Sequence, residues 1–319
     1  QPRSRGLGDV YKRQTSGSTV VKDMVQLTDI TRNSHFFIIN SSPGRDRLEL
    51  RSLGGADTLK VSAGTEGVDV SGLIAVTLDG GDGNDTLVSA FDNVALQGGA
   101  DTDSVSIEPD GKTVDGATAL QLYSGELRVS RTVGAATVVD RLTLAGVENL
   151  TLDLGSAGSG SDLRVIGTPT GTVRIESGAG NNTLAIEGLN GATTLALGGT
   201  ANTVTVGKDG SLAGIKANLA IQGGSGADAV VFDGSAEVAD QSVTVGASGL
   251  TSTLSPGLLT YDAAVDSVEL RLGRGADNVT VPGLSRRVTV DGGGGADRVQ
   301  ATLLDLSLIH ISEPTRPRL

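Results

Sequence analysis

One phrase recurs about nine times along this chain: an alternating apolar run, a glycine-rich turn closing on Asp or Asn, then another alternating run. The clearest copies run from Val76 to Val88, from Leu219 to Val231 and from Val288 to Val299. Such self-similarity constrains the architecture more than any single residue does, because every copy has to solve the same packing problem. The closing residues align at Asp57, Asp85, Asp103, Asp162, Asn182, Asn202, Asp228, Asp277 and Asp297. Their spacing is repeatedly near 20 residues, with two long steps, from Asp103 to Asp162 and from Asp228 to Asp277.

Flanks such as Val268-Glu269-Leu270-Arg271-Leu272 alternate with period two, the pattern of strands with one buried face. Val, Leu, Ile and Thr dominate them, the residues that suit a half-buried pleated surface. Glycines in the turns supply positive φ, and the terminal Asp or Asn can bond nearby backbone N–H groups. The expected fold is all-β: a parallel β-helix, or β-solenoid, with rungs of about 20 residues and the acidic and amide positions stacked in a column along one edge. Antiparallel β-sandwich repeats are the competing architecture. The same turn grammar at every repeat favours the solenoid, since sandwich turns differ from one another. The two long steps contain apolar stretches, Leu120 to Val133 and Val243 to Leu254. They are expected to be strand pairs protruding from the stack. Each is followed by a second shared pattern, Leu142 to Leu152 and Leu259 to Leu270, and returns through a short acidic turn into the next rung.

The ends stand apart. Ser4 to Gln14 and Leu306 to Arg316 resemble translations of one sequencing adapter read on opposite strands. Residues 1–14 and 306–319 are therefore set aside as non-native, and 15–305 is expected to be an internal piece of a larger repeat array. The whole chain has 25 Lys+Arg against 37 Asp+Glu. Without its ends it has 19 against 35, a formal charge of −16.

Composition narrows the function classes. Strong negative charge argues against nucleic acid, whose affinity comes from neutralised phosphates. Four Phe, three Tyr and no Trp leave few rings for stacking on sugars or bases. There is no Cys, so disulfides and thiolate metal sites are excluded, and no 18-residue apolar run marks a membrane span. The most apolar stretch, His35-Phe36-Phe37-Ile38-Ile39, is expected to pack at an early rung. His35 is the only His outside the two ends, so no Ser-His-Asp arrangement is credible and no catalytic residue is assigned. The carboxylate pairs, Asp82 with Asp85 and Asp101 with Asp103, recur in a repeated turn, whereas an active site is needed once.

The turn resembles the hemolysin-type (RTX) calcium-binding nonapeptide, Gly-Gly-x-Gly-x-Asp-x-apolar-x. Gly80 to Val88, Gly223 to Val231 and Gly292 to Gln300 match it in full. The resemblance implies calcium as the cofactor, with Asp82, Asp85, Asp103, Asp228 and Asp297 as its ligands. In that family the nonapeptides run in direct tandem, whereas no two full motifs are adjacent here. The overall pattern is more similar to very large, repeat-rich bacterial surface or secreted proteins. That similarity implies an extracellular or cell-surface location, and partners that are neighbouring repeats of the same chain and a cell-surface or matrix component. The readings in order are a structural or adhesive segment, a calcium-binding segment that folds on export, and a polysaccharide-active β-helix.

Overall fold

The computed structural model describes residues 10–11, 24–29, 34–39, 47–52, 54–61, 74–90, 93–108, 117–133, 135–155, 160–283, 286–302 and 309–312. Among these residues there is no helix. The chain divides into two compact units, 1–155 with 169–173, and 156–168 with 174–319.

In the first unit, β1 (Val10–Tyr11), β2 (Met24–Asp29) and β3 (Ser34–Ile39) form a small antiparallel sheet. The apolar run at His35 thus lies in a hairpin and not in a parallel rung. Only four residues separate β2 from β3, too few for the crossover that parallel pairing needs.

The next strands alternate between two sheets. One takes β4 (Arg47–Arg51), β6 (Ala75–Asp82) and β8 (Val94–Ala100); the other takes β5 (Thr58–Lys60), β7 (Thr86–Ser89), β9 (Ser104–Ile107) and β13 (Asn149–Asp153). Every neighbouring pair in these two sets is parallel and in register, Leu48 with Val76 with Val94 and Leu59 with Leu87 with Val105. The register reproduces the spacing of the repeats.

The second unit repeats the scheme. Its first sheet runs β14 (Asp162–Val165), β16 (Asn181–Ile186), β18 (Ala201–Val206), β20 (Ala227–Asp233), β24 (Ser267–Arg271), β26 (Arg287–Asp291) and β28 (Ile309–Ser312), all parallel. Its second sheet runs β15 (Thr172–Glu176, begun in the first unit), β17 (Ala192–Ala196), β19 (Leu219–Gln222), β23 (Leu259–Tyr261), β22 (Gly249–Ser252), β21 (Ser242–Val245), β25 (Asn278–Val281) and β27 (Arg298–Ala301). Strands β1 and β28 fall within the two ends set aside above.

The two long steps are not protruding strand pairs. In the first unit β10 (Ala117–Tyr123), β11 (Glu126–Val133) and β12 (Ala136–Ala145) enter the sheet beside β8, with β11 antiparallel to both its neighbours. In the second, β22 is the antiparallel strand between β21 and β23. The cause is the alternation itself. Leu120, Leu122, Leu127, Val129, Leu142 and Leu144 all face inward and are buried, so the strands stay in the sheet. Only the far end of the β11–β12 hairpin stands clear, with residues 135–139 exposed.

Each strand contributes its inward residues to an aliphatic interior, including Leu78, Leu96 and Leu152 in one unit and Leu184, Val204 and Leu270 in the other. Burying such a side chain contributes about 1.5–3 kcal/mol. Among the described residues Phe232 and Tyr261 are the buried aromatics, with ring centres 6.1 Å apart. In urea unfolding, Leu122→Ala is expected to lower stability by about 2–5 kcal/mol. Val138→Ala, on the exposed hairpin end, should change it by less than about 0.5 kcal/mol.

Candidate functional site

Parallel strands leave a problem at each glycine-rich corner. The last backbone N–H before the next strand points along the stack and needs an acceptor. The chain supplies that acceptor from the following rung. In the first unit the Asp57 N–H donates to Asp85 Oδ1 at 2.8 Å, Asp85 N–H to Asp103 Oδ1 at 2.8 Å, and Asp103 N–H to Glu148 Oε2 at 2.9 Å. One rung further the direction reverses, and Thr172 N–H donates back to Asn149 Oδ1 at 3.0 Å.

The second unit has two such ladders. In one, Ser161 N–H donates to Asn182 Oδ1 (2.8 Å), the Asn182 amide to Asn202 Oδ1 (2.6 Å), the Asn202 amide to Asp228 Oδ1 (2.6 Å) and Asp228 N–H to Asp266 Oδ2 (2.8 Å). In the other, Gln241 N–H donates to Asp277 Oδ1 at 2.8 Å and Asp277 N–H to Asp297 Oδ1 at 3.0 Å. The single column expected from the sequence is therefore three ladders. The split arises because the turn joins the first sheet to the second at some rungs and the second to the first at others.

Six of the ladder side chains are buried in the corner, whereas Asp266 is exposed. Asp85, Asp103, Asp228 and Asp277 are at most 1% exposed, and Asn182 and Asn202 are 2% exposed. Glycine makes room for them. A methyl group on Gly80 would lie 2.5 Å from Asp85 Oδ2, and one on Gly98 would lie 2.6 Å from Asp103 Oδ2. Gly99, at φ 116°, turns its Cα–H toward the Gly81 carbonyl oxygen, where a Cβ would overlap it. Weak Cα–H···O contacts of this kind recur between neighbouring strands.

Burial raises the pKa of Asp85, Asp103 and Asp277 above the ordinary aspartate value, by stripping water from the charged form. The backbone N–H bonds pull the other way, and neighbouring carboxylates add to the rise. On the outer face of the first unit the opposite holds: the Arg128 hydrogen bond lowers the Glu126 pKa.

The five aspartates implied by the calcium resemblance are dispersed. Asp85 and Asp103 occupy adjacent rungs of one ladder. Asp82 is exposed and offers its carbonyl to Gly55 N–H. Asp228 and Asp297 belong to different ladders of the second unit. Among the described residues no group of three His, Cys, Asp or Glu side chains converges as a metal site. Calcium takes six to eight oxygens, and one oxygen of each of Asp85, Asp103 and Asp297 already faces a backbone N–H. This donor set does not fit calcium.

Asp162 is exposed, and its rung places Ser161 on the ladder instead. Glu148 and Asp266, expected in the returns of protruding pairs, are ladder residues. A signal for Asp266 was present: Asp266-Ser267-Val268 repeats Asp103-Ser104-Val105. Gln241 precedes the same pair, Ser242-Val243, but lacks the acidic residue that marks the turn.

A cation clamp supports the second unit. Arg286 donates to the carbonyls of Asp262 (2.9 Å), Val265 (2.8 Å) and Ala247 (2.9 Å), and its guanidinium lies 4.9 Å from the Tyr261 ring centre. The Tyr261 hydroxyl donates to the Gly246 carbonyl at 2.8 Å, and burial pushes its pKa up to about 12. The arginine thereby pins the β21–β22 turn and the corner before β24.

No protein-family model matches the chain, and no curated protein matches it. Among the described residues no helix is long and apolar enough to cross a membrane.

Three substitutions test the ladder. Gly99→Ala should destabilise by more than about 1 kcal/mol, while Gly294→Ala, with open space around it, should be nearly neutral. Asn202→Asp removes the donor to Asp228 and sets two carboxylates together, with an expected loss of about 1–3 kcal/mol at neutral pH that shrinks in acid. Urea midpoints measure all three.

Proposed function

We propose that this chain is a β-solenoid whose role is structural or adhesive, a segment of a large exported bacterial protein working outside the cell or on its surface. One observation carries the reading: side-chain ladders run from rung to rung through the corners, so the repeated element is spent on stacking. Repeat arrays hold together by such nearest-neighbour contacts. The aliphatic interior and the acidic exterior fit a body that must stay soluble while presenting long sheet faces. Neighbouring repeats and a surface or matrix component are the partners this reading implies.

The calcium-binding alternative shares the turn sequence but lacks the oxygen count at any one point. A polysaccharide-cleaving β-helix would need acid and base carboxylates facing solvent together. Asp85, Asp103, Asp228 and Asp277 are buried.

The test is a set of melts followed by circular dichroism in chelator, in millimolar Mg²⁺ and in millimolar Ca²⁺. The expected result is one β-rich transition at the same temperature in all three. Calcium at a hundredfold excess over its dissociation constant would stabilise by about 2.7 kcal/mol per site. A calcium-specific rise of that size would replace the scaffold reading with the calcium one.

A further inference from the structure

The ladders differ in what each rung can donate. Asn202 gives one amide hydrogen to Asp228 on the next rung and the other to the Gly198 carbonyl four residues earlier, at 2.7 Å. Asp228 has donors on both oxygens, the Asn202 amide on Oδ1 and Gly224 N–H on Oδ2 at 2.6 Å. Its ionised form is fully bonded.

Asp85 and Asp103, and Asp277 and Asp297, hold the corresponding corner position with Asp following Asp. Their Oδ1 atoms accept the backbone N–H of the preceding rung. All four Oδ2 atoms are buried without a hydrogen-bond partner. Glycine presses against three of them, Gly80 on Asp85, Gly98 on Asp103 and Gly292 on Asp297.

An anionic oxygen in such a place loses its water and gains no donor, a costly arrangement. A hydroxyl there has the shape of the Asn202 amide and supplies one of its two donors. Gly81, Gly99, Gly273 and Gly293 stand four residues before the respective aspartates, as Gly198 stands before Asn202.

We propose that the Asp85/Asp103 pair, and Asp277 where it stands against Asp297, each retain a proton at neutral pH so that a neutral carboxyl stands in for asparagine, and that the stack therefore tightens in acid.

The charged surroundings agree. Asp57, Asp79 and Asp103 surround Asp85; Asp101 and Glu148 join Asp85 around Asp103; Asp240 and Asp297 face Asp277. Arg51, the cation beside this group, is paired with Asp79 at 2.7 Å and Glu49 at 2.6 Å. Arg298, next in sequence to Asp297, is exposed. Among the described residues no ion pair includes any of the four aspartates. The raised pKa of Asp85, Asp103 and Asp277 has the matching sign. A carboxyl with a raised folded-state pKa binds its proton more tightly when folded. Its stabilisation is complete below the unfolded value, near 3.8, and is lost as pH climbs through the folded value.

The experiment uses the full chain. Urea midpoints are measured from about pH 8 to about pH 5, with chelator and separately with calcium. Infrared spectra at neutral pH report the carbonyl stretch of un-ionised carboxyl groups. The wild type should gain stability toward acid, about tenfold in the folding constant per unit of raised pKa, and should show the un-ionised band. Asp85→Asn with Asp103→Asn, and Asp277→Asn with Asp297→Asn, should raise the midpoint at pH 8, flatten its pH dependence and remove part of the band. Absence of the band in the wild type overturns the proposal, and so do equal pH slopes in wild type and variants. A calcium-dependent midpoint at pH 8 that the variants lose would assign the orphan oxygens to a cation and also overturn it. If the variants fail to fold, the wild-type infrared titration decides alone.

Discussion

A backbone N–H at a tight corner, facing along the stack with no strand to pair with, is the constraint on which the rest of this structure depends. Strands satisfy their own donors through the sheet ladder, but corners cannot, and water is shut out of them. The chain answers with a short acceptor side chain from the next rung, held inside the turn. That answer requires glycine beside it, because the carboxyl fills the space a Cβ would take at Gly80 and Gly98. It also requires parallel, in-register rungs, since an acceptor one rung away must arrive at the same height each time. Corner chemistry and sheet geometry therefore specify each other.

The sequence displayed the strand alternation, the turn chemistry and the parallel stacking, because each depends on local periodicity. It concealed which corner a turn belongs to. Gly80 to Val88 and Gly223 to Val231 match the same motif, yet one joins the first sheet of its unit to the second and the other does the reverse. Motif identity carries no record of that direction. The long steps misled for a related reason. Leu120 to Val133 has the alternation of any strand, and only burial on the inner face decides that it joins the sheet. Asp162 and Ser161 differ by one residue, which in a strand is the difference between the solvent face and the interior.

Asparagine and aspartate are interchangeable at the ladder in shape but not in charge. Where Asn182 and Asn202 stand, each rung supplies a donor to the next. Where aspartates follow one another, the ionised side chains bring acceptors and no side-chain donor. The aliphatic interior tolerates this because its stability comes from apolar burial spread over many rungs. The acidic exterior is a separate matter, solvated and partly paired, as at Arg51 with Asp79 and Arg174 with Glu176. The scaffold reading rests on the interior pattern and not on the surface charge.

Residue-resolved amide hydrogen exchange addresses the central claim most directly. If corner N–H groups are bonded across rungs, the amides of Asp57, Asp85 and Asp277 exchange as slowly as those of the adjoining strands. Replacing Asp103 with alanine then releases the Asp85 amide while leaving that of Asp277 protected. Fast exchange at these amides in the wild type, at the rate of an exposed turn, would contradict the account.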